Sequence, residues 1–86
     1  MVVDLEAERT KILTQAFEQR QREVMHHQIN IDNYQLAIEE IEANYSNNSA
    51  MVEFADRLRD LLASSIIEQA KEVILRDVIA KQLEVQ

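Results

Sequence analysis

Residues 44–49, with the sequence NYSNNS, form the one cluster of turn-forming residues in an 86-residue chain that contains no glycine and no proline. A chain of this length would normally hold roughly ten of those two residue types. Because tight β-turns depend on them, their absence argues against a β-sandwich, a barrel or a Rossmann-type fold. Helix formers such as Glu, Gln, Ala and Leu dominate on both sides of the cluster. The sequence therefore predicts a single all-α domain, with helix 4–44, turn 45–49 and helix 50–84.

The first predicted helix follows a heptad repeat. One position of the repeat holds Thr10, Phe17, Val24, Ile31, Ile38 and Tyr45, and the other holds Leu13, Arg20, His27, Tyr34 and Ile41. This spacing is typical of an α-helix that packs along one seam. Asn30, Asp32 and Asn33 are poor interior helix residues, and Asp32 also fits the cap of a new helix. The sequence thus leaves open a kink near residues 30–33, although the heptad continues in register and favours one helix.

The second predicted helix carries an apolar stripe that is wider than one seam. Its members recur at a mean step of about 3.7 residues: Met51, Ala55, Leu58, Leu62, Ile66, Ala70 and Val73. Adjacent apolar pairs such as Ile66 and Ile67 point about 100° apart around a helix, so they can face two different neighbours.

Two helices in contact along one seam bury little apolar surface, and the loop of about five residues makes them antiparallel. We therefore predict that the hairpin self-associates, most simply as a two-fold dimer that forms a four-helix bundle, although a larger helical oligomer satisfies the same pattern. The residues predicted at this oligomer interface are Leu58, Leu61, Leu62, Ile66, Ile67, Ala70, Val73 and Ile74.

Negative charge is concentrated at one end of the predicted hairpin. The formal net charge is −7, and residues 23–56 contain seven acidic residues and no Lys or Arg. That half lies nearest the turn, so its end should repel nucleic acid and attract a protein with a basic surface. The residues predicted to steer such a partner are Glu39, Glu40, Glu42, Glu53 and Asp56. A solvated acidic face and a mimic of DNA phosphates are the alternative interpretations.

Three polar or aromatic residues, Arg20, His27 and Tyr34, occupy seam positions of the first helix. Polar seam residues commonly set helix register or choice of partner. The same three side chains could instead contact a small ligand in an apolar groove between helices. The sequence does not separate these two roles.

The sequence holds little that points to catalysis. Glu23 and His26 match the Glu-x-x-His element of di-metal carboxylate bundles, but the heptad directs His26 toward solvent, where ligands cannot converge. There is no cysteine and no glycine-rich phosphate loop. We therefore expect no enzymatic activity, no metal and no cofactor.

The sequence also gives an expectation about location. The residues MVVD at positions 1–4 lack the features of a secretory signal, and no apolar run is long enough to span a membrane. We expect a cytoplasmic protein.

Taken together, these patterns favour a non-enzymatic protein–protein interaction module that acts as a homo-oligomer with an acidic turn end. An adaptor, an assembly chaperone and a phage-type inhibitor of a host factor all belong to this class. A small-ligand-binding helical bundle is the alternative, and a DNA mimic or a di-metal bundle is less favoured.

Overall fold

A computed structural model describes residues 4–85 and confirms the predicted all-α hairpin. Helix α1 spans Leu5–Asn44 and helix α2 spans Ser49–Glu84. The two helices lie side by side in a rod of 71 × 18 × 14 Å. The radius of gyration is 19.7 Å, against about 12 Å for a compact domain of this length. Every residue is therefore close to the surface, and the fold has a seam between two helices instead of a central core.

Each helix begins at a side-chain cap. The carboxylate of Asp4 accepts hydrogen bonds from the backbone N–H groups of Glu6 and Ala7, and the side chain of Asn48 accepts one from the N–H of Met51. These bonds satisfy amide groups that have no partner within a helix. The N–H of Asn48 also donates to the carbonyl of Tyr45 at 3.0 Å. A short turn closed in this way holds α2 antiparallel to α1.

Helix α1 runs without interruption through residues 30–33. The amide of Gln28 donates to the carboxylate of Asp32 at 2.9 Å, which engages Asp32 on the helix surface instead of at a helix start. Asp32 and Asn33 are both exposed. Polar residues on the solvent side lower the stability of a helix only slightly. The heptad therefore continues across this segment, and no new helix begins there.

The predicted heptad of α1 forms its side of the seam. Ile31, Ile38 and Ile41 are buried, and the other heptad positions from Thr10 to Tyr34 are half-buried. Tyr45 is the exception, because it lies beyond the last helical residue and is exposed.

The predicted stripe of α2 follows the seam up to Leu62, and of its later members Val73 alone is half-buried. Met51, Ala55, Leu58 and Leu62 all pack in the seam. Beyond Leu62 the seam continues through the half-buried residues Ser65, Gln69, Glu72, Arg76, Ile79 and Leu83. Ile66 and Ala70, predicted to continue the stripe, are exposed. The steps along the observed seam alternate between three and four residues, which keeps two straight helices in contact over a long distance. A stripe with a mean step of about 3.7 residues drifts around the helix and leaves that contact.

Candidate interaction surfaces

The half of the hairpin nearest the turn, residues 31–62, has an apolar seam, and we call it the turn half. Its core cluster consists of Ile38, Ile41, Ala55 and Leu58, packed against Tyr34, Ala37, Met51 and Leu62. Ala55 is 2% exposed and Leu58 is 7% exposed. A small Ala opposite two Ile side chains lets the helices approach closely. This half of the molecule is thus held by ordinary hydrophobic burial.

The remaining part, residues 4–30 and 63–85, has a seam in which polar residues alternate with apolar ones such as Phe17 and Ile79, and we call it the open half. Arg20 donates from Nη1 to both carboxylate oxygens of Glu72, at 3.0 and 3.2 Å. Arg76 donates to the side-chain oxygen of Gln21 at 2.9 Å. Gln69 donates to the carbonyl of Val24 and to the side chain of Gln28. Side chains of opposite helices therefore meet here through hydrogen bonds and one ion pair.

The apolar side chains of α2 in the open half lie mostly on the side that faces away from α1. A row of exposed residues with alternating steps of three and four follows this side, and we call it the outer face of α2: Asp60, Ala63, Ile67, Ala70, Ile74, Asp77 and Lys81. Ile67 is 57% exposed and Ile74 is 63% exposed. Ile66 and Val78 flank the row and are also exposed. Apolar residues in the middle and charged residues at both ends are typical of a helix surface that packs against another helix.

Helix α1 carries no comparable row among its described residues. Its exposed large apolar residues are Leu5, Ile12, Met25, Ile29 and Leu36. Met25 and Ile29 are neighbours on one side of the helix, but the exposed Asp32 separates them from Leu36. The positions along one side of its seam are polar, namely Thr14, Gln21, Gln28, Gln35 and Glu42, and the other side holds no large apolar residue from Arg9 to Ala37. The continuous unpartnered apolar surface of the described chain therefore belongs to α2.

The residues predicted at an oligomer interface divide into two groups. Leu61, Ile66, Ile67, Ala70 and Ile74 are exposed and accessible to another molecule. Leu58 is buried between α1 and α2 within one copy. Leu62 and Val73 are half-buried, and Leu62 packs against the hairpin core. Within one hairpin, α1 therefore already covers the turn-side end of the predicted set, and the predicted interface itself stays a prediction.

All five residues predicted for the acidic end, Glu39, Glu40, Glu42, Glu53 and Asp56, are exposed. The sequence reasoning missed Arg59, which lies just beyond the acidic segment and pairs with two of them. Arg59 binds the carboxylate of Glu42 across the two helices and that of Asp56 at 2.6 Å. The hydrogen bond to Glu42, and the negative charges of both acids, raise the pKa of the guanidinium above its usual value. Among the ion pairs of residues 4–85, none involves Glu39, Glu40 or Glu53.

The three polar seam residues of α1 follow one another along the seam at intervals of seven residues, and each has its own surroundings. Arg20 is engaged by Glu72, and Tyr34 packs against the core cluster. His27 is half-buried, with the exposed His26 beside it. Shallow depressions lie elsewhere, near Arg9 and Val85 at the open end and near Ile41 and Arg59 at the turn. Glu72, the partner of Arg20, could have been found by extending the three-four spacing of Leu58 and Leu62 along α2.

Among residues 4–85, no group of three or more His, Asp or Glu side chains is arranged to hold a metal ion. The carboxylate of Glu72 binds Arg20 across the seam. Neither α1 nor α2 has a stretch long and apolar enough to cross a membrane.

Comparison of this chain with protein-family models, with curated proteins and with solved structures finds no match.

Proposed function

We propose that this protein is a non-enzymatic interaction module that self-associates through α2 and binds a basic protein through its acidic turn end. An adaptor, an assembly chaperone and a phage-type inhibitor of a host factor remain the classes of role it fits. The observation that carries the proposal is the position of Ile67 and Ile74, which are largely exposed on a continuous face of α2. A second helix that covered this face would remove their apolar surface from water, at about 25 cal/mol per Å².

The arrangement of charge supports the second part of the proposal. Glu39, Glu40 and Glu53 lie exposed near the turn, in the segment without Lys or Arg. Clustered charge of one sign accelerates association with a surface of opposite sign and disfavours partners of the same sign. Glu42 and Asp56 contribute less to this field, because Arg59 compensates them.

Sedimentation equilibrium of the full chain at micromolar concentration tests self-association. We expect a species heavier than one copy, and the substitution Ile74→Lys should shift the mass toward a single copy because it places a charge in an apolar contact. The matched substitution Leu36→Lys, at an exposed apolar position of α1, should leave the mass unchanged. A single copy for the unsubstituted protein would contradict this part of the proposal.

Binding to an oligolysine peptide at increasing salt concentration tests the acidic end. We expect binding at low salt to weaken steeply with added salt. It should be lost in the triple variant Glu39→Lys, Glu40→Lys, Glu53→Lys. A control triple variant with the same change in net charge, Glu8→Lys, Glu18→Lys, Glu84→Lys, should retain most of the binding. Equal losses in both variants would mean that net charge, and not the turn end, attracts the peptide.

A further inference from the structure

The outer face of α2 has a charge pattern that selects one orientation of a second copy, and we infer that two hairpins pair back to back through antiparallel α2 helices. The inferred two-fold axis passes between Ala70 and Lys71. Ile67 of each copy then lies against Ile74 of the other. This inference rests on the self-association proposed above and specifies the face, direction and register of the contact.

Charge complementarity sets the direction. Asp60 and Lys81 stand at opposite ends of the exposed row, on the same side of α2. In the antiparallel register, Asp60 of each copy faces Lys81 of the other, and the hydroxyl of Ser64 faces Asp77. In a parallel pair the same residues would face themselves, so that Asp60 would meet Asp60 and Lys81 would meet Lys81. Like charges in direct opposition disfavour that arrangement.

The register also matches the apolar part of the face. The axis brings the two Ile67–Ile74 contacts close to the centre, with Ala63 and Ala70 as small neighbours that let the helices approach. Lys71 lies close to the axis, and its ammonium group is already paired with Glu68 of the same helix at 3.1 Å. Its charge is thus compensated within each copy.

The exposed area of one copy is large enough for such a contact. The solvent-accessible surface is 6582 Å², whereas a compact monomer of this mass exposes about 5,200 Å². The excess exceeds the roughly 800 Å² that each partner buries in a protein–protein interface of standard size. The polar neighbours of the α1 seam favour a contact made by α2 alone over a four-helix bundle in which all helices share one core.

The antiparallel pairing has a consequence for the acidic ends. Since the turn lies about 23 residues from the inferred axis along α2, the two turn ends would stand about 70 Å apart at opposite ends of the dimer. A parallel dimer would place both acidic ends side by side, where they repel each other. The antiparallel dimer therefore presents two separated sites for basic partners.

Disulfide trapping tests the register, because the chain has no cysteine of its own. An equimolar mixture of Ile67→Cys and Ile74→Cys chains, oxidised mildly, should form covalent dimers that contain one chain of each kind. Ile67→Cys alone should not form them efficiently, since its two Cα atoms would be displaced by about 10 Å along the helices. A Leu36→Cys chain on α1 reports the background of random collision, which the mixed dimer should exceed at least about tenfold.

The outcomes separate this inference from the broader proposal. Efficient cross-linking of Ile67→Cys with itself would show a parallel pair and overturn the inferred register, while self-association would stand. A heavier species in sedimentation without cross-linking above background would place the contact on another surface and overturn the inference as well. A single copy in sedimentation together with background cross-linking would overturn both.

Discussion

The turn half and the open half of this hairpin differ in how apolar and polar residues share the seam of α2. In the turn half, Leu58 faces α1 and is buried. In the open half, the seam holds Gln69, Glu72 and Arg76 before it becomes apolar again at Ile79 and Leu83, and Ile74 faces outward. Both halves use the same helix pair and the same three-four spacing. The difference teaches that a continuous seam does not need continuous apolar composition, and that packing of the two helices leaves apolar residues of α2 exposed on its outer face.

The largest effect is expected from truncating a buried side chain in the core of the turn half. Leu58→Ala should lower the free energy of unfolding by about 2–3 kcal/mol, because it removes buried methyl groups and leaves a cavity. The matched change Leu36→Ala, at a position that is 65% exposed, should lower it by less than about 0.5 kcal/mol. Urea unfolding followed by circular dichroism measures both. Similar losses at the two positions would contradict the assignment of Leu58 to the hairpin core.

Replacing the ion pair of the open half by apolar side chains should have a smaller effect on the free energy of unfolding. The effect should depend on whether one partner or both are replaced. Glu72→Leu alone should destabilise the hairpin by about 1 kcal/mol, since it leaves a half-buried Arg20 without its carboxylate. The side chain of Arg20 retains 32% exposure, and water therefore limits the loss.

Adding Arg20→Met to Glu72→Leu should restore the stability or raise it above that of the unsubstituted chain. A double-mutant cycle in urea measures the coupling between the two residues. Additive losses would mean that the two side chains do not interact across the seam. Restored stability would indicate that the polar contact sets helix register and is not required for strength.

The smallest effects are expected from removing the two helix caps. Asn48→Ala should cost about 1 kcal/mol, because Asn48 caps α2 next to the packed core of the turn half. Asp4→Ala removes a similar cap at the open end, where we expect local fraying to hide most of the loss from global unfolding. Hydrogen exchange of the first-turn amides should show increased exchange in both variants. Equal losses in global stability would mean that the open end unfolds together with the rest of the hairpin, as the turn end does.

Much of the fold could be predicted from local pattern. The NYSNNS cluster places the turn, and the structure has α1 ending at Asn44 and α2 starting at Ser49. The heptad from Thr10 to Ile41 identifies the seam side of α1 because its period matches that of packed helices. Asn48 belongs to that cluster, and its side chain accepts the capping bond of α2. These features depend on neighbours in sequence, which the chain displays directly.

The candidate surfaces were less predictable because they depend on which face of α2 meets α1. The apolar pattern of α2 continues to Ile66 and Ala70 and does not include Gln69 and Glu72. These two polar residues enter the seam because α1 offers them matching groups, Val24 and Gln28 for Gln69 and Arg20 for Glu72. Likewise, Arg59 compensates part of the acidic end only because the hairpin brings it to Glu42.

By itself, the sequence determined that this chain forms two helices, where the turn lies and that negative charge gathers around it, since helix propensity, capping and charge are properties of local segments. The tertiary structure decided which residues of α2 are covered and which stay exposed. The physical reason is that two helices in long contact must keep a spacing near 3.5 residues, and the apolar stripe of α2 departs from that spacing after Leu62. The packing of α1 on α2, and not hydrophobicity alone, leaves Ile67 and Ile74 on the surface.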